Sequence, residues 1–125
     1  MTDKTRPTII DFVEKYTRQF PDHVYLREKV DGKWKEITQE QTRETAYRIG
    51  AGLMSLGLEK GDKIALLSES RSMWILAELG AMYAGATDVP LSVNLGEGKD
   101  LLFRIHHSHV MNISKPICSI CPITN

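Results

Sequence analysis

The chain has 125 residues, and its 16 Lys plus Arg balance 16 Asp plus Glu, so the formal net charge is zero. That balance leaves no electrostatic footprint for nucleic acid or anionic lipid, and no run of about eighteen apolar residues is present to span a membrane. The charged N-terminus lacks the apolar stretch of a secretory signal and two cysteines are too few for a secreted disulfide scaffold, so a cytoplasmic protein is expected, one domain or part of a larger one.

In chain order, "TIIDFVEKYTRQF" sets Ile9, Val13, Tyr16 and Phe20 at helical spacing, with Thr8 as N-cap and Pro21 as stop. Next comes a β-hairpin. Val24, Leu26 and Glu28 alternate with Tyr25, Arg27 and Lys29, and Asp31-Gly32 supplies a tight turn before an arm holding Trp34 and Ile37. In "TQEQTRETAYRIGAGLMSLGL", Thr38 and Gln41 have capping-box spacing. Ala46, Ile49, Leu53 and Leu56 then form a core-facing stripe, and Gly57 is placed to end the helix in a left-handed cap. A short strand follows at Ile64 to Leu67. The helix after it, "RSMWILAELGAMYAG", is apolar almost all round and closed by Gly85. "ATDVPLSV" reads as another strand, "GKDLLFRIHHS" as a helix with Leu101, Leu102 and Ile105 inward, and "VMNIS" as a last strand. Short apolar strands alternating with helices predict a parallel sheet.

Composition shifts after Asp100. No Asp or Glu follows it, whereas His106, His107, His109, Cys118 and Cys121 all do.

Few residue sets suggest chemistry. Gly96, Gly98 and Lys99 lie at a strand-to-helix junction, where backbone N–H groups can hold a phosphate. A P-loop, however, needs a glycine where Val93 stands and Ser or Thr where Asp100 stands. His106, His107 and His109 with Cys118 and Cys121 match no common zinc spacing. Cys118-x-x-Cys121 is bracketed by Pro116 and Pro122, and no helix follows to lower a thiol pKa. Glu69, Ser70 and Arg71 occupy the strand-to-helix turn where α/β folds place ligand groups; the plainer expectation is that Ser70 caps the helix and Arg71 is solvated. No Ser/His/Asp set and no spacing-paired carboxylates appear.

The ordered words carry more. These are Leu56-Gly57, Gly61-Asp62-Lys63-Ile64-Ala65, Glu69-Ser70-Arg71-Ser72-Met73-Trp74, Gly85-Ala86-Thr87-Asp88-Val89-Pro90-Leu91 and "LLFRIHHS". Together, over roughly residues 8 to 115, they resemble the N-terminal segment of the adenylate-forming (AMP-binding) superfamily, and within it the bacterial long-chain fatty acid–CoA ligases. The resemblance implies an α/β fold: an N-terminal helix and β-hairpin, then an incomplete βαβαβ parallel-sheet layer. It implies a family reaction of ATP, fatty acid and CoA to acyl-CoA, AMP and pyrophosphate, with magnesium on the phosphates. The family's phosphate loop, aromatic-Gly-x-Thr-Glu motif, ribose-binding Asp and C-terminal-domain Lys do not occur in these 125 residues. Carried over position by position, the catalytic, cofactor-binding and metal residues are therefore none, and no cofactor is expected for this stretch.

The expectation is thus a ligase fragment, inactive alone, with residues 1–116 as a truncated N-terminal part of an AMP-binding domain. Residues 117–125 are expected to be an aberrant or disordered tail, as after a frameshift or premature stop. The alternative is a non-enzymatic interaction module pairing with a partner chain through exposed apolar surface, the Met73 to Ala84 helix being its motive. A metal or redox protein using the tail is the third reading, and mass spectrometry for zinc or a disulfide discriminates it.

Overall fold

The computed structural model describes residues 6–69, 71–91, 109–112 and 119–122, the last two segments by their backbone. The first helix, α1 (Ile9–Gln19), starts in a capping box: Thr8 Oγ1 accepts from the Asp11 amide at 3.2 Å, and Asp11 Oδ2 accepts from the Thr8 amide at 2.7 Å. The hairpin follows as β1 (Val24–Val30) and β2 (Lys33–Thr38), antiparallel. Its turn uses Asp31 and Gly32, both at positive φ (49° and 78°), which is what a twist-compatible two-residue turn requires. On the face that the alternation assigns to Val24, Leu26 and Glu28, the last two are half-buried but Val24, at the strand's start, is exposed; in the second arm Ile37 is half-buried and Trp34 is 66% exposed.

Thr38 and Gln41 make the predicted capping box for α2 (Gln39–Ser55), with bonds of 3.2 and 3.0 Å; such caps each stabilise a helix start by about 1 kcal/mol. Ala46 and Leu53 are buried and Ile49 packs beside them, as the spacing predicts. Leu56 is a correction: it is 67% exposed, because the helix stops at Ser55 and Leu56 is its C-cap, turned off the stripe. Leu58 takes its place in the core once Gly57, at φ 100°, reverses the chain.

The sheet then begins. β3 (Lys63–Leu67) leads into α3 (Ser72–Tyr83), and β4 (Thr87–Leu91) runs parallel to β3. β5 (His109–Asn112) pairs with β3 on its other side, also parallel, and β6 (Ser119–Pro122) pairs antiparallel with β5. The strand order is β4-β3-β5-β6. The parallel β4-β3-β5 layer is the expected incomplete βαβαβ unit. β6 is an addition to it: Ser119–Pro122, inside the segment expected to be an aberrant or disordered tail, run as a strand at the edge of the sheet. The predicted helix over residues 98–108 lies outside the described residues.

Ile64, Ala65 and Leu66 are each about 1% exposed, so β3 is covered on both faces, in keeping with its unbroken apolar run. Ile64 and Leu66 meet Leu53, Leu58, Ala77, Ala81 and Ala84, which places α2 and α3 over one face. Val13, Ala46 and Leu79 join α1 to this helical layer. The α2–α3 crossing rests on two glycines. A Cβ on Gly50 would stand 2.8 Å from the Gly80 carbonyl oxygen, and one on Gly80 would stand 2.5 Å from Ile49 Cγ2.

Candidate functional site

Strand order reverses direction around β3: the chain goes to β4 on one side, then to β5 on the other. In open α/β sheets the crevice beyond the strand C-terminal ends at such a switch is where ligands bind. Here that edge is formed by Ser68 and Glu69 after β3, and by the start of α3. Ser68 is buried, and its hydroxyl donates to the Glu69 carbonyl at 2.9 Å. Glu69 and Arg71 approach to 3.8 Å, an exposed pair that adds little energy. Ser70 lies outside the described residues.

Among the described residues the first turn of α3 has no local side-chain cap, since Arg71 is its N-cap and makes no such bond. A carboxylate from 44 residues away meets this turn instead. Glu28 on β1 accepts from the Ser72 hydroxyl at 2.7 Å and from the Ser72 amide at 3.3 Å. Those two bonds hold the Glu28 carboxyl below its ordinary pKa against the opposing effect of burial, with Lys35 and Arg71 adding attraction. The inward alternation of Glu28 on an otherwise apolar strand face is the one sequence signal that pointed to it. A carboxylate seated on this helix N-terminus takes the place where a phosphate would sit and repels one.

A second constellation binds the three helices. Tyr83 Oη donates to Glu14 Oε1 at 2.6 Å and Arg43 Nε donates to the same oxygen at 2.8 Å. The Arg43 guanidinium also lies 4.9 Å from the Tyr47 ring centroid, and Tyr47 meets Tyr83 edge to face. The Tyr83 bond, then Arg43, holds the Glu14 carboxyl below its ordinary range. Burial first, then the hydrogen bond to Glu14 and the Glu14 charge, pushes the Tyr83 phenol well above its own. Tyr83 thus stays a neutral donor, and the cluster ties α1, α2 and α3 together. It borders an open cleft of about 640 Å³ whose wall mixes Glu14, Glu40 and Glu44 with Arg18 and Arg43. Separations of 29 and 69 residues leave no spacing signal for it.

A third pair joins Glu78 on α3 to Asp88 on β4. Burial, then the Asp88 charge and hydrogen bond, raises the Glu78 pKa. These are paired carboxylates that sequence spacing does not reveal.

The remaining candidates divide. Gly96, Gly98, Lys99, His106, His107 and Cys118 lie outside the described residues. His109 is on β5 opposite Pro122, and Cys121 is on β6 opposite Val110, so the two occupy neighbouring rungs of one ladder. Among the described residues no group of three or more His, Cys, Asp or Glu is arranged to hold a metal ion, and no helix is long and apolar enough to cross a membrane.

Residues 13–113 match the family model described as AMP-binding enzyme. The chain is 29% identical over 79 residues to the long-chain-fatty-acid–CoA ligase FadD15 of Mycobacterium bovis, an alignment covering 63% of this chain and 13% of that protein. It is 32% identical over 103 residues to the 3-[(3aS,4S,7aS)-7a-methyl-1,5-dioxo-octahydro-1H-inden-4-yl]propanoyl:CoA ligase of Mycobacterium tuberculosis, covering 81% of this chain and 19% of that one. Among solved structures it resembles the fatty acid AMP ligase from Legionella pneumophila, with a TM-score of 0.68 and 26% identity over 78% of this chain and 18% of the other. In each case the chain spans less than a fifth of the relative it matches.

Proposed function

The chain belongs to the AMP-binding enzyme family, and from that premise we propose that it is the N-terminal layer of a long-chain fatty acid–CoA ligase, a scaffold that holds none of the reacting groups. The family reaction joins a fatty acid to CoA at the expense of ATP, releasing AMP and pyrophosphate, with magnesium on the phosphates. On this reading the chain alone does not catalyse it. The observation that carries the reading is the conjunction of a family match over residues 13–113 with an α3 N-terminus plugged by Glu28. Residues 1–116 then form the family part and 117–125 a departure from its pattern. A cytoplasmic location is proposed with it.

What these residues do is structural. The Glu14–Arg43–Tyr83 lock fixes three helices, and β3 supplies a sheet centre on which further strands can be laid. A chimera tests this directly. Residues 13–113 replace the matching segment of the Mycobacterium bovis ligase, and acyl-CoA formation from palmitate, ATP and CoA is measured. Retained activity is expected; a folded, monodisperse chimera without activity contradicts the proposal.

A second reading, an interaction module, is favoured by one observation. Ile9, Phe12, Tyr16 and Phe20 are all 44–57% exposed along α1, with Tyr16, Phe20 and His23 stacked in series. The Met73 to Ala84 helix, the motive first given for this reading, exposes Met73 but buries Leu76, Ala77, Leu79, Gly80 and Ala81. Self-association through α1 predicts a sedimentation coefficient that rises with concentration and falls back in Phe12→Ser; a concentration-independent monomer removes this reading.

A further inference from the structure

The geometry points to the β1–β2 hairpin as a strap, latched onto the start of α3 by Glu28, that lifts as a unit while the helices and main sheet stay folded. The hairpin forms its own two-stranded sheet, separate from the four-stranded one. None of its strand residues is fully buried; Leu26, Glu28, Ile37 and Thr38 are half-buried and the rest are exposed. A two-stranded hairpin with so little covered surface is marginal by itself, so its resting position depends on a few tethers.

Those tethers are at its base and its middle. At the base, the Gln39 amide donates to the His23 carbonyl at 2.8 Å and the Glu40 amide to the Pro21 carbonyl at 3.1 Å, which ties the strap to the start of α2. In the middle, Glu28 grips Ser72 through both carboxylate oxygens. The tip at Asp31–Gly32 is exposed, and a Cβ on Gly32 would meet nothing within 4 Å. The base therefore acts as the hinge and Glu28 as the catch.

The catch is shared. Among the described residues α3 has no other side-chain cap, so the bonds that hold the strap down are the same ones that satisfy the first turn of α3. Release must loosen both at once. Beneath the strap lies a cavity of about 410 Å³ lined by Leu26, Arg27, Lys29, Arg71 and Ile75, beside the C-terminal end of β3. Lifting the strap widens this cavity and frees the α3 amides at the sheet edge where α/β folds bind ligands.

Hydrogen exchange with mass spectrometry on the whole chain tests the shared catch, comparing wild type, Glu28→Ala, Ser72→Ala and the double variant. In Glu28→Ala, exchange is expected to rise about tenfold, the effect of losing a charge-assisted bond, in residues 24–38 and in the first turn of α3 together, with α1 and the body of α2 unchanged. Ser72→Ala, which keeps the amide bond, should give a smaller rise in the same two segments. The double variant should add nothing to Glu28→Ala. Exchange that rises in only one segment, that does not change, that adds in the double variant, or that rises across α1 and α2 as well overturns the proposal.

Discussion

Glu14 and Glu78 respond to pH in opposite senses. The Glu14 carboxyl lies below its ordinary pKa of 4.5 in the fold, through Tyr83 and Arg43. Its stabilising contribution is present above that value and is lost as pH falls through the folded pKa. Glu14→Gln should therefore cost about 1–2 kcal/mol at pH 7 and progressively less below pH 4. Glu78 lies above 4.5, through burial and Asp88. Its contribution is fully present below 4.5 and is lost as pH rises through the folded pKa, which leaves two carboxylates repelling each other at pH 7. Glu78→Gln should accordingly stabilise the chain at pH 7, by roughly 0.5–1 kcal/mol for so partly solvated a pair, and have little effect at pH 4. Urea unfolding at the two pH values checks both variants. None of these partners was legible in the sequence, because tertiary pairs 10 to 69 positions apart leave no periodicity. Local devices were: both capping boxes, Thr8–Asp11 and Thr38–Gln41, join residues three apart.

Among the elements, α2 shows how a glycine's role depends on what faces it. Gly52 is exposed, with nothing within 4 Å of a built Cβ, whereas Gly50 meets the backbone of α3. Gly52→Ala should stabilise the chain by about 0.5–1 kcal/mol through helix propensity. Gly80→Ala, whose Cβ would overlap Ile49, should instead cost about 1–3 kcal/mol despite its better propensity. The same unfolding assay separates the two, and a Gly80→Ala variant as stable as wild type would mean the helices can move apart freely. The stripe on α2 was legible as far as Leu53 because 3.6-residue spacing holds inside the helix. It failed at Leu56 because the helix had already ended, a boundary that Gly57 marked but that the stripe ran past. Glycines needed for close crossing carry no spacing signal, so Gly50 and Gly80 were not legible.

At the scale of the molecule, the order of helix, hairpin, helix and alternating strands gave the fold class, because each element announces its own period and the turns between them are short. The antiparallel β6 was not legible: "SICP" between prolines reads as a tail, and only pairing with β5 makes it a strand. Of the candidate turn beyond β3, Glu69 and Arg71 were legible by position, but Glu28, the group that bonds the start of α3, was not, because it lies 44 residues away. The proposal that this layer of the AMP-binding family is a scaffold without reacting groups implies that it takes up no nucleotide by itself. Isothermal titration of the 125-residue chain with ATP and magnesium tests it most directly. No saturable heat is expected up to millimolar nucleotide; a micromolar binding isotherm would contradict the proposal.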